Sequence, residues 1–71
     1  MKLNEAQEIL NEGKKRLCVL NPLKNHEQSG ELCVILNIKK GWIEIESGLW
    51  RLNVRASEIE VLHKAKEMGW R

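Results

Sequence analysis

The residues of this chain with the most chemical potential are its cations and its tryptophans. Lys14 and Lys15 run into Arg16, Lys39 and Lys40 lie directly before Gly41 and Trp42, and Arg51 and Arg55 share one parity of a later segment. Ammonium and guanidinium groups neutralise phosphates, and an indole face stacks on a base, so cations interleaved with a Trp suit a nucleic-acid surface. The candidate nucleic-acid-binding residues are Lys14, Lys15, Lys39, Lys40, Arg51 and Arg55 for charge and Trp42 for stacking, with Lys64, Lys66 and Arg71 adding charge in the tail. The plainer explanation is that Lys at hairpin tips and sheet edges keeps a protein soluble, with Glu44, Glu46, Glu58 and Glu60 close enough in sequence to neutralise a patch. Clustering of the cations on one face favours phosphate as the partner, whereas an even spread favours a protein adaptor.

Other chemistry finds little support. Glu44 and Glu46 could serve as acid and base, but alternate strand positions facing Arg51 read more simply as a solvated charge ladder. A zinc site built from His26, His63, Cys18 and Cys33 would need distant segments to converge. No nucleophile elbow, catalytic triad or glycine-rich phosphate loop is present, so the chain is expected to be non-catalytic, with no cofactor and no metal. Cys18 and Cys33 are too few for a disulfide scaffold and read as buried thiols, although a bridge is geometrically open if they fall on neighbouring strands. Trp42 falls on a polar face, where it is either a contact residue or a cover for an open end or for the N-terminal helix; Trp70 is either an internal clasp or a partner anchor.

Composition sets the frame for these residues. At 71 residues, the chain allows one domain with a small core, and 42% hydrophobic with 31% charged residues is the balance of a folded protein. Twelve Lys and Arg against ten Asp and Glu give a net charge of +2, which permits nucleic acid or an acidic protein without demanding either. No apolar run is long enough to span a membrane, and the Met1-Lys2-Leu3 start passes at once into Asn4-Glu5, so a cytoplasmic protein without membrane contact is expected.

The apolar periods then place the candidates on elements. Asn4 as N-cap with Gln7 as its reciprocal partner predicts a helix over 5–12, with Leu3, Ala6, Ile9 and Leu10 on one stripe and Gly13 as its C-terminal stop. The period changes to two at Arg16. Leu17–Leu20 predicts a first strand ended by Asn21-Pro22, and 23–31 a long polar loop. Leu32–Ile38 predicts the central and most buried strand. Lys39-Lys40-Gly41 turns into Trp42–Glu46, with Ile43 and Ile45 inward and Trp42, Glu44 and Glu46 outward. A second turn at Ser47-Gly48 leads into Leu49–Arg55, with Ile45 opposite Trp50, Ile43 opposite Leu52 and Glu44 opposite Arg51. A helical turn at Ala56–Glu58 and a last strand at Ile59–Leu62 follow, and the tail from His63 reads as a frayed turn or a disordered end. The organisation is thus a helix and cap over 1–15, a β segment over 16–62 and a tail over 63–71.

A short N-terminal α-helix followed by about five short strands, with a long loop after the first strand, tight hairpins joining the next ones and a helical turn before the last, resembles the SH3-like small barrel. Gly30–Ile35, Gly41–Ile45 and Val54–Leu62 are similar in pattern to KOW and Tudor-like barrels, in which a Gly opens the second strand and an acidic-apolar segment closes the last. Asn21-Pro22 stands where KOW segments usually carry an earlier Gly. The chain lacks Tyr and Phe, which argues against reading proline-rich peptides, and its Trp residues at 42, 50 and 70 do not obviously build an aromatic cage for methylated side chains. The Val-Gln-Ile-Tyr segment of the plasmid-borne dihydrofolate reductases with this barrel is also missing. The resemblance therefore implies nucleic-acid binding, RNA or DNA, as in KOW-bearing ribosomal proteins and transcription factors. The alternative it leaves is a protein adaptor, with a homodimer that buries the helix stripe as one form of it, of the kind phages and mobile elements encode.

Overall fold

The computed structural model describes residues 1–13, 15–24, 30–48 and 50–70; Lys14, His26 and Arg71 lie outside the described residues. Helix α1 covers Leu3–Asn11, starting earlier than the sequence predicts. The cap is Lys2 rather than Asn4, because Glu5 at the third helical position accepts the Lys2 N–H at 3.3 Å, the reciprocal bond expected of Gln7. Gly13, with φ +71°, donates its N–H to Leu10 O at 3.2 Å and ends the helix as predicted. The stripe buries Ala6 and Ile9 against β2, while Leu3 stays 42% exposed.

Five antiparallel strands form one sheet in the order β4-β3-β2-β1-β5: β1 Cys18–Leu20, β2 Leu32–Lys39, β3 Trp42–Ser47, β4 Trp50–Val54 and β5 Ile59–Val61. No β4–β5 pairing closes it, so the sheet is open where a barrel was expected. Strand β2 is central, as predicted, but the most buried strand is β1, whose three residues are all at 0% exposure. It lies between β2 and β5, and α2, at Leu62–Glu67, packs on both β1 and β5. That helix replaces the expected frayed tail and shortens the last strand to end at Val61, because Ala65 is buried completely and holds the segment down.

Two features of the ladder differ from the predicted register and both bear on the outer face. First, Ser47 pairs with Trp50, so Arg51 faces Glu46 rather than Glu44, Leu52 faces Ile45 rather than Ile43, and Glu44 faces Asn53. The slide is by two positions and so leaves every side chain on its predicted face. Second, the β2–β3 register shifts between Ile35 and Asn37, leaving Leu36 as a bulge. Ile35 pairs with Ile45 and Ile38 with Ile43, so the inward phase moves from the odd to the even positions of β2. An uninterrupted strand would aim Asn37 into the core; the bulge re-aims it outward beside Glu44, and its Oδ1 accepts the Ile38 N–H at 2.9 Å.

The core joins Ala6 and Ile9 to Cys18, Leu20, Cys33, Ile35, Ile43, Ile45, Val54 and Ile59. Cys18 and Cys33 are directly opposed on β1 and β2, both buried and both free thiols. The single buried charged side chain among the described residues, Glu60 at 6% exposure, is satisfied by the Met1 ammonium at 3.2 Å. That ammonium also donates to Ala56 O at 3.1 Å and Ile59 O at 2.7 Å, so the charge is paired and hydrogen-bonded as burial requires.

Candidate nucleic-acid interface

The β2–β3 connection is a two-residue turn, Lys40-Gly41, between the paired residues Lys39 and Trp42. Lys40 has φ +53° and Gly41 φ +80°, the combination that matches the right-handed twist of the flanking strands. Asn-Gly is the favoured occupant of such a turn, and a Lys in the left-handed region carries a steric cost. Lys40 therefore sits where folding alone would prefer another residue.

Beyond the turn, the outer faces of β2, β3 and β4 line up in cross-strand rows. The row nearest the turn holds Lys39 and Trp42, and Arg55 extends it one position past the Ile43–Val54 pair. The Arg55 guanidinium carbon lies 3.7 Å from the Trp42 ring centroid, a cation–π stack. Arg55 is fixed from behind, where its backbone N–H donates to Glu58 Oε2 at 2.7 Å. The φ of Gly41 favours glycine, and a Cβ there would come within 2.9 Å of Arg55 Nη1 and push the guanidinium aside. Trp42 remains 43% exposed. The ring thus belongs to the outer face, against Arg55, and is not part of the cluster around Ala6 and Ile9.

The next row is Asn37, Glu44 and Asn53. Together with Lys39, Lys40 and Trp42 these residues line a groove of about 530 Å³. The Glu44 carboxylate has no hydrogen-bond or ion-pair partner among the described residues, in contrast to the charge ladder with Arg51 that the sequence suggested.

Not every predicted cation reaches this groove. Arg51 lies on the same face, four residues or about 13 Å along β4 from Arg55, and its Nε is paired with Glu46 Oε2 at 3.1 Å. Lys15 lines a separate depression of about 150 Å³ with Leu10, Gly13, Ile35 and Leu36. Lys14 lies outside the described residues. Two further cations meet carboxylates: Arg16 pairs with Glu12 at 2.8 Å, and Lys64 with Glu5 at 3.1 Å. The Lys64 hydrogen bond holds the Glu5 carboxyl below its ordinary range, and the Glu5 bond in turn raises Lys64. A depression between α1 and α2 holds both of these pairs together with Glu8, so its cations are already matched by carboxylates.

The sequence pointed to Lys39, Lys40, Trp42 and Arg55, which the structure brings together, and missed Asn37 and Asn53. For Asn53 the strand alternation was available; for Asn37 the only signal was a lone amide interrupting an apolar strand. No described group of three or more His, Cys, Asp or Glu could hold a metal ion, and no helix among the described residues is long and apolar enough to cross a membrane. Compared with known protein families, curated proteins and solved structures, the chain gives no match.

Proposed function

We propose that this chain is a non-catalytic, single-stranded nucleic-acid-binding protein built on an SH3-like small barrel, with its ligand seated across the outer face of β2–β4. The observation that carries the proposal is the segregation of charge: Lys39 and Lys40 line one groove with an exposed Trp42 on which Arg55 stacks, whereas Arg16, Arg51 and Lys64 are each held by a carboxylate. Clustered cations with a stacking face suit a phosphodiester strand, whose phosphates meet the rim while a base stacks on the indole. The unfavourable backbone of Lys40 supports the same view, because residues held in costly conformations concentrate at functional sites. The strand order and the helical turn over Ala56–Glu58 are compatible with the barrel family, whose sheet would coil rather than lie flat.

Three Trp and no Tyr make intrinsic fluorescence a direct assay. Titration with a mixed-sequence single-stranded oligonucleotide should quench the emission saturably, and the affinity should fall as salt rises. Absence of any response at low salt, where electrostatic attraction is strongest, would overturn the proposal in favour of a protein partner.

A further inference from the structure

The floor of the groove carries more information than phosphate binding needs. Asn37, Glu44 and Asn53 form one cross-strand row, with neighbouring Cβ atoms on the order of 5 Å apart. The Asn37 Oδ1 is committed to the Ile38 N–H, which leaves its NH2 as a donor. The Glu44 carboxylate is acceptor-only and has no partner among the described residues. One donor therefore lies beside two acceptor oxygens, about 7 Å along β3 from Trp42. Trp42 and this row line the same groove, so a base held against the indole within it comes within reach of the row.

We infer, on the basis of the nucleic-acid reading above, that the groove selects guanine through its Watson–Crick edge, with Glu44 accepting from N1–H and N2–H2 and the Asn37 amide donating to O6. Guanine presents acceptor, donor, donor, the complement of the Asn37 NH2 beside the Glu44 carboxylate; the Asn53 amide on the other side of Glu44 carries both a donor and an acceptor and adds no preference of its own. Adenine and cytosine each offer a single exocyclic amine and set ring acceptors against the carboxylate. Uracil offers one N–H between two carbonyls, which Glu44 repels. Single-stranded bases are commonly read on this edge, because unpairing leaves it free.

The test uses the full chain and a set of short oligouridines carrying one central guanosine, inosine, adenosine or cytidine, followed by Trp fluorescence. The guanosine oligomer should bind about tenfold or more tighter than the adenosine and cytidine ones, with inosine, which lacks the N2 amine, in between. Glu44→Gln removes a groove anion, which favours every oligomer, and removes the guanine contact, which disfavours only the guanosine one, so the quantity to read is the guanosine-to-adenosine ratio, which should collapse toward one. Glu44 has no partner among the described residues, and an unchanged melting temperature in this variant will show that the fold is intact. Saturable binding with equal affinity for all the oligomers, or a guanosine preference that survives Glu44→Gln, would overturn the inference while leaving nucleic-acid binding standing. No binding of any oligomer would instead overturn the reading on which it rests.

Discussion

Charge reversal at the turn offers the sharpest quantitative test of the interface. Three cations are gathered here, Lys39 and Lys40 in the groove lining and Arg55 over Trp42, while Arg51 is engaged with Glu46. Each phosphate neutralised on a single strand contributes about −0.7 to the slope of log affinity against log salt, so three contacts give a slope of about −2. Between about 50 and about 200 mM salt, that slope is a loss of roughly twentyfold in affinity. In Lys39→Glu/Lys40→Glu, only Arg55 remains, the slope should fall to about −0.7, and the same salt step should cost less than about threefold. Arg51→Glu is the internal control. Because Arg51 already has a carboxylate partner, its variant should keep a slope near −2. Fluorescence titrations at several salt concentrations supply the slopes, and far-ultraviolet circular dichroism verifies folding. A double variant whose slope matches the wild type, or an Arg51 variant that loses as much as the double variant, would refute the assignment of these cations.

Three further expectations concern the scaffold. Gly41→Ala places a Cβ at φ +80° within 2.9 Å of Arg55 Nη1, so it should lower stability by about 1 kcal/mol or more and displace the guanidinium from Trp42; an unchanged urea midpoint and Trp emission would contradict the turn geometry. Glu60→Gln deprives a buried ammonium of its counter-charge while leaving its two carbonyl acceptors in place. It should cost about 2–3 kcal/mol in urea unfolding, and a loss below about 0.5 kcal/mol would show the pair to be solvated. Burial pushes the Cys18 thiol up to about 11 and Cys33 up to about 12. Because the folded chain holds these protons more tightly than the unfolded one, their stabilisation is complete below about pH 8.5 and is lost as pH climbs through those values, at on the order of 1 kcal/mol per pH unit per thiol. Replacing both with Ala should flatten the alkaline part of the stability profile, and an unchanged slope would refute the burial of the pair.

How much was legible beforehand depended on how local each cause was. The alternation of Trp42 to Glu46 assigned inward Ile43 and Ile45 and outward Trp42 and Glu44 correctly, since the faces survive a register slide by an even number of residues. The partners did not survive it, which is why Arg51 was matched with Glu44 instead of Glu46. The bulge at Leu36 was invisible because an apolar run reads the same with or without an extra residue, and it is the bulge that delivers Asn37 to the groove. At α1, the Asn4–Gln7 spacing fits a capping box as well as Lys2–Glu5 does at its acidic end, and the helix starts two residues earlier than that spacing predicts, with Glu5 taking the reciprocal bond. Helix α2 depends on tertiary contact at Ala65 and gave only a faint local pattern. At the interface, Lys39, Lys40, Trp42 and Arg55 follow from a turn and a parity. The exclusion of Arg51 and Lys15 follows from a salt bridge and a helix packing that no short window of sequence contains.

The two unpaired borders of the sheet give these cations a second consequence. A strand with free N–H and C=O groups along one side is a template on which another copy can zip. Strand β5 is guarded by being three residues long and by running straight into α2. Strand β4 is longer and carries the half-buried Leu52, and the alternating Arg51, Asn53 and Arg55 are the polar side chains that make it a poor template for aggregation. Any redesign that neutralises this face to weaken ligand binding would therefore also strip the guard from the longer edge strand among the described residues, and would be expected to lose solubility along with affinity.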